Sequence, residues 1–179
     1  MSDKRLLRAR LRAARAEMVE RHPARPLDVP DAFILALRPG LVVASYVPLG
    51  GEADPASLEA AAWAQGCEIA LPFVVDRATP IRFLAAEAGL VDGPFGLRQP
   101  PADAAARIPD IILTPLVGFD RRGNRLGQGA GHYDRAFAEH PHAWRVGIAW
   151  SVQEVPALTP DPWDVPLHAI LTECEWITP

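Results

Sequence analysis

The stretch that most restricts the fold is DIILTPLVGFDRRGNRLGQGAGHYDR, Asp110 to Arg135. An apolar run leads into a loop with glycine at 127, 129 and 131, and a helical pattern starts directly after it. The run DIILT predicts a buried strand. Glycines at alternate positions let backbone N–H groups turn inward toward an anion, and the N-terminus of the following helix adds its dipole. Arg125 supplies a cation just ahead of the glycines, and Asp134 just behind them supplies a carboxylate able to hold Mg²⁺ against phosphate oxygens. In an α/β sheet, the C-terminal edge of such a strand is where ligands bind. The loop is not a Walker phosphate loop, because no GK[ST] follows. Nor is it a dinucleotide GxGxxG, because the third glycine comes one residue early.

The rest of the chain alternates between strand and helix patterns. A helix is predicted from about Asp3 to Glu20, with Leu7, Leu11, Ala14 and Met18 on one stripe and Lys4, Arg8, Arg12 and Arg15 on its neighbour. Three prolines between Arg21 and Pro30 prevent its continuation. A short helix at Asp31–Leu37 precedes a strand at Leu41–Tyr46. Asp54 and Pro55 then serve as N-cap and first-turn proline of a helix reaching Gln65. Strands are expected at CEIALPFV and IRFLAA, a Gly/Pro loop at Asp92–Pro101, and a Gly-rich loop from Gly118 to Gly131. A helix at His132–His140 and a strand at WRVGIAW follow, then an irregular Pro-rich connection and a last apolar stretch at Leu167–Leu171. This alternation predicts an α/β layered fold with a mostly parallel sheet flanked by helices. It is read as a single domain, residues 1–179, of which residues 1–25 form a basic N-terminal helix.

Length and composition fit that reading. A chain of 179 residues, 49% hydrophobic and 22% charged, can bury a core, and disorder as its main character is excluded. No apolar run approaches the roughly 20 residues needed to span a bilayer. Cys67 and Cys174 form no CxxC pattern, which points to a reducing compartment. Without an apolar leader, the expected location is cytoplasmic. The net charge of −4 conceals an asymmetry: residues 1–25 hold eight basic and three acidic side chains, a net +5, leaving −9 on the rest. A basic arm on an acidic body points to a small anionic ligand, not to long nucleic acid or a membrane.

These residues carry a resemblance to a known family. The pattern RxGxRLGxGxGxYDR after an apolar strand resembles the signature of 5-formyltetrahydrofolate cyclo-ligases, also called 5,10-methenyltetrahydrofolate synthetases. Three other segments agree in order and spacing: KRLLRARL from Lys4, SYVPLGGEAD from Ser45, and DPWDVPLHAILTE from Asp161. The resemblance implies a Rossmann-like fold of the cyclo-ligase/CoA-transferase type. It also implies a monomer acting on a small-molecule substrate with ATP and Mg²⁺ as cofactors. In the implied reaction, ATP phosphorylates the formyl oxygen of 5-formyltetrahydrofolate and N10 attacks the activated carbon. Loss of phosphate then leaves 5,10-methenyltetrahydrofolate and ADP.

Carried over residue by residue, the resemblance assigns Lys4 and Arg8 to the nucleotide. Arg125, Leu126, Gly127, Gln128, Gly129, Ala130, Gly131, His132 and Tyr133 belong to the phosphate-cradling loop, with Arg125 in the catalytic position. Asp134 and Asp164 match metal ligands. Glu52 matches a folate contact, and a carboxylate there can accept two parallel hydrogen bonds from the pterin amino and ring N–H groups. Val47, Phe95 and His132 match positions lining the same pocket, with an ordinary core position as the close second reading of Phe95. The chain departs from the pattern at His132, where an aromatic is usual. It departs also at Gln128 and Ala130, at Trp163 where a histidine is common, and at His168 where an aspartate is common. These departures leave an alternative open, a non-catalytic or altered-specificity member that binds nucleotide or folate as a sensor. Two further readings have less behind them: a same-fold enzyme acting on a sugar phosphate or CoA ester, and nucleic-acid binding by the basic helix.

Overall fold

Asp110 fixes the register at the centre of the sheet. Its backbone N–H donates to the Val42 carbonyl (2.9 Å) and its carbonyl accepts from the Trp144 N–H (2.8 Å). Its carboxylate accepts from the Val42 N–H (2.8 Å). One residue thus aligns the starts of three parallel strands, β1 (Val42–Ala44), β6 (Ile111–Pro115) and β9 (Trp144–Ile148). The computed structural model describes residues 2–22 and 26–179. The main sheet also contains β2 (Glu68–Phe73), β3 (Arg82–Ala85), β10 (Ala169–Leu171) and β11 (Trp176–Ile177), in the order β11-β10-β9-β6-β1-β2-β3. The inner five strands run parallel, while β3 and β11 close the two edges antiparallel. The mostly parallel α/β architecture expected from the sequence is the one found.

Alternate residues of each strand face opposite layers. Val43, Ile69, Ile111, Leu113, Val146 and Ile148 pack against Phe33 and Leu37 and against Leu58 and Ala62. Phe33 belongs to α2 (Asp31–Ala36), with Leu37 just past its end, and Leu58 and Ala62 to α3 (Ala56–Ala64). Val42, Ala44, Ala70, Ile112 and Ile170 pack on the other face against Ala136 and Phe137 of α4 (His132–Glu139). The N-terminal helix α1 (Ser2–Arg21) lies across this body. Its Leu11 is buried with Val117, Leu126 and Val155. Residues 23–25, the end of the expected basic arm, lie outside the described residues.

Several expectations need correction. The segment 118–131 is not a continuous loop. Gly118–Phe119 (β7) pairs antiparallel with Arg125–Leu126 (β8), and Asp120 ties the turn between them. Likewise 92–101 contains a small hairpin of Val91–Asp92 (β4) with Arg98–Gln99 (β5). The helix α3 takes Pro55 as its N-cap residue, one position later than expected, while the Asp54 carboxylate still accepts from the Ala56 N–H (2.9 Å). The edge strand β11 was not anticipated, since two residues carry no periodicity. No described helix is long and apolar enough to cross a membrane.

Candidate active site

The strand β6 delivers the chain to the C-terminal edge of the sheet, and the hairpin β7–β8 carries it on to the glycine-rich loop. Arg125 is the first site residue on that path. Its side chain is only 6% exposed, ion-paired with Asp134 on the first turn of α4. The guanidinium also lies over the Phe137 ring, 4.9 Å from its centroid. Gly127 leaves room for it, since a Cβ there would stand 3.3 Å from Arg125 Nη1. Gly129 and Gly131 have φ of +103° and +69°, conformations that L side chains rarely adopt, and Gly131 is the N-cap of α4. Leu126, expected among the cradle residues, turns its side chain into the core beside Leu11.

Helix α1 closes over this loop with the cationic stripe that the periodicity predicts. Lys4 Nζ lies 2.7 Å from Asp161 Oδ2 and 3.7 Å from Asp164 Oδ2, which joins the first turn of the helix to the Pro-rich C-terminal segment. Arg8 Nε donates to the Gly127 carbonyl (2.8 Å). Arg12 donates to the Gln128 side chain, whose amide in turn donates to Glu52 Oε1 (3.3 Å). Arg15 Nη1 stands 4.0 Å from the same Glu52 oxygen. A cleft of about 780 Å³ opens between the start of α1 and residues 157–161, lined by Lys4, Leu7, Arg8, Leu158 and Asp161.

Glu52 sits in the loop after β1, reached through the partly buried Val47. Its Oε2 accepts from the Leu49 N–H (3.1 Å). Burial pushes its carboxyl above the usual range, and the Leu49 N–H, the Arg15 charge and the Gln128 amide only partly oppose this. Tyr133 is held protonated well past its ordinary value, first by burial and then by the nearby Glu52 charge. His132 Nδ1 lies 3.1 Å from Arg135 Nη2. Burial and that guanidinium push the imidazole below its ordinary value, so it is neutral at pH 7. Arg135 also donates to the carbonyls of Ala130 (3.0 Å) and Arg77 (3.0 Å).

Phe95 is not a core residue. It is 56% exposed with φ of +60°, and the Arg77 guanidinium lies 5.5 Å from its ring centroid. The shared neighbour Arg77 places Phe95 on the same side of the molecule as Arg135 and His132. His168 serves the framework instead: its Nδ1 accepts from the Arg145 backbone N–H (3.1 Å), and the Arg145 guanidinium lies 2.7 Å from its Nε2. That pairing anchors the start of β10, which explains how a histidine is accommodated there.

The sequence reading did not single out Arg12, Arg15, Asp161 or Arg135 as site residues. The helical stripe already contained Arg12 and Arg15. Their partners in the folded chain, Gln128 and Glu52, are remote in sequence and carry no local signal.

Buried donors without partners show what the site lacks. Among the described residues, Arg125 Nε, Arg135 Nε, and Nε and Nη1 of Arg15 are buried with no hydrogen-bond acceptor. Unsatisfied buried donors are costly, and those of Arg125 and Arg135, which border the glycine-rich loop, are complementary to a polyanion such as a triphosphate. A dedicated metal cage is not present: among the described residues, no three His, Cys, Asp or Glu side chains converge. Asp134 and Asp164 are instead engaged separately, by Arg125 and by Lys4 with the Asp161 N–H (2.8 Å).

Comparison with known proteins shows the family. Residues 1–173 match the model of the 5-formyltetrahydrofolate cyclo-ligase family. The chain is 31% identical over 178 residues to the 5-formyltetrahydrofolate cyclo-ligase of Haemophilus influenzae, covering 92% of this chain and 95% of that one. The solution structure of Aquifex aeolicus 5,10-methenyltetrahydrofolate synthetase superposes with a TM-score of 0.65 at 30% identity, over 96% of this chain and 82% of that one. The synthetase from Mycoplasma pneumoniae shares the fold with a TM-score of 0.67 at 22% identity, over 96% of this chain and 99% of that one. This chain therefore belongs to the 5-formyltetrahydrofolate cyclo-ligase family.

Proposed function

We propose that this protein converts 5-formyltetrahydrofolate to 5,10-methenyltetrahydrofolate with consumption of ATP and release of ADP and phosphate. The observation that carries the reading is Arg125, buried against Phe137 with Nε unpartnered and its other face on Asp134, beneath a loop that Arg8 closes from above. Such a group is an anion site built before the anion arrives. In the proposed reaction the formyl oxygen takes the terminal phosphoryl group, N10 attacks the formyl carbon and loses its proton, and phosphate departs with the formyl oxygen. Phosphoryl transfer needs chiefly positioning and charge neutralisation, and Lys4, Arg8 and Arg125 are placed for both. Glu52 accepts from the donor edge of the pterin, with Val47, Phe95 and His132 around the same ligand.

Mg²⁺ would neutralise phosphate charge. It is ordinarily bound through one or two carboxylates plus phosphate oxygens and waters, and Asp134 and Asp164 are the carboxylates to hold it, which fits the lack of a larger cage. The proposal takes the protein as a monomer that works on a small molecule in the cytoplasm.

The test is near-UV absorbance of the purified protein with 5-formyltetrahydrofolate and Mg²⁺, with and without ATP. The product carries a conjugated amidinium that the substrate lacks. The expected result is an ATP-dependent rise, at least ~100-fold slower in Arg125→Ala and Asp134→Ala. Folded protein that gives no rise at any concentration sinks the reading.

A further inference from the structure

Arg15 and Glu52 meet in a buried corner beneath α1, and the proposed reaction as written gives the arginine no task. Arg15 is 5% exposed. Its Nη1 lies 4.0 Å from Glu52 Oε1, and both Nη1 and Nε are buried without hydrogen-bond partners among the described residues. A guanidinium is not deprotonated in proteins, so this side chain must keep its charge where water is excluded. A charge retained in such a place needs an opposite charge or a ligand beside it. Glu52 is that opposite charge, and its own side chain is 8% exposed.

We propose that Arg15 is a positioning residue of the substrate site, whose buried guanidinium holds Glu52 as a carboxylate turned toward the ligand. The inference rests on the folate reading above for the identity of that ligand. An ionised Glu52 presents acceptors only, matching the amino and ring N–H donors of a pterin edge, whereas a protonated one would set its own hydrogen against them. Burial alone favours the protonated form. The Leu49 N–H, Arg15 and the Gln128 amide oppose it, and of these only Arg15 carries a charge. The other ionisable groups that act on the pair are Arg12 on α1, Tyr46 just past β1 and Tyr133 on α4, with Asp54 and Glu59 on the far side of Tyr46 and Arg125 beyond Tyr133. Burial keeps both tyrosines neutral across the range of the test. Arg12 donates to the Gln128 oxygen and so reaches Glu52 only through that amide. Gln128 thereby ties the glycine-rich loop to the same carboxylate.

The experiment follows the Glu52 side-chain carboxyl carbon by NMR in glutamate-labelled protein, assigned with Glu52→Gln. Alongside it runs the pH dependence of 5-formyltetrahydrofolate binding without nucleotide. The Glu52 midpoint is expected to rise by about one pH unit or more in Arg15→Gln and to return toward the original in Arg15→Lys, as an opposite charge at this distance implies. The acid limb of folate binding should move by the same amount, giving roughly tenfold weaker binding on that limb. Combining Arg15→Gln with Glu52→Gln should add no further pH dependence. Arg15→Met, apolar and of similar length, serves where Arg15→Gln does not fold. A midpoint that stays in place, or binding weakened equally at every pH, overturns the inference and leaves the catalytic reading intact. A wild-type protein that neither binds nor converts the folate overturns the functional reading, and with it the folate assignment made here.

Discussion

Asp120 is a buried carboxylate whose hydrogen bonds hold the path into the site. Its side chain accepts from the N–H groups of Arg122 (3.0 Å), Asn124 (3.1 Å) and Leu158 (2.9 Å) and from the Asn124 amide (2.9 Å). Burial alone would raise its carboxyl, but these four donors outweigh it and hold the group below the usual carboxylate range. Its stabilisation is therefore complete above the unfolded value near 4 and is lost as the pH falls through the lower folded value. Asp120→Ala should cost about 3 kcal/mol, read by urea unfolding at pH 7, and the loss should shrink toward pH 3. Gly129→Ala tests the loop itself. At φ +103°, and with a Cβ 3.6 Å from the Arg8 guanidinium, the substitution should cost about 1–2 kcal/mol. It should also raise the KM for ATP several-fold while leaving that for the folate nearly unchanged.

At the scale of elements, α1 has one fully buried apolar anchor, with Leu7, Met18 and Val19 packed partly buried on either side of it. Leu11 alone of its apolar stripe is fully buried, against Val117, Leu126 and Val155, while the cationic stripe bonds the glycine loop and residues 161–164. Leu11→Ala should loosen the helix without melting the sheet. The expected signs are faster tryptic cleavage within residues 4–21, a higher KM for ATP, and a melting temperature lowered only modestly. The stripe was legible in the sequence because a helical period needs only local spacing, and so were the buried strands and the glycine loop. The hairpins β4–β5 and β7–β8 were not, because pairs of two residues are set by contacts from elsewhere. In β7–β8 the turn is fixed by Asp120, which reaches forward to Leu158. The core alternative for Phe95 had to stay open at the sequence level, because an aromatic between Pro94 and Gly96 reveals nothing of its exposure; the folded chain removes that alternative. Arg15 was seen on the stripe but not as a site residue, since its partner Glu52 belongs to a different element.

Across the whole molecule, three histidines share a direction of response. Burial pushes His132, His140 and His168 below their ordinary value, with Arg135 adding to the effect at His132 and Arg145 at His168. Below about pH 6.5 the unfolded chain therefore binds more protons on these rings than the folded one. The stability they contribute is complete above that pH and declines as the pH falls through the folded values. Thermal unfolding between pH 7.5 and 5 should show this decline, and His168→Asn, which can still accept from Arg145, should flatten part of it. A slope of opposite sign would refute the assignment of these rings as neutral in the folded state.

The contact between Lys4 and Asp161 joins residues 157 positions apart, and Leu11 waits on Val155 for the far wall of its pocket. On the ribosome, the basic helix emerges well before its landing surface, which follows about 150 residues later. At about 5–20 residues per second that interval is on the order of ten seconds. Through that time a cationic amphipathic segment is exposed beside ribosomal RNA with no body to dock on. Nascent chains stalled before residue 155 has cleared the exit tunnel should keep this helix open to trypsin, and released full-length chains should close it.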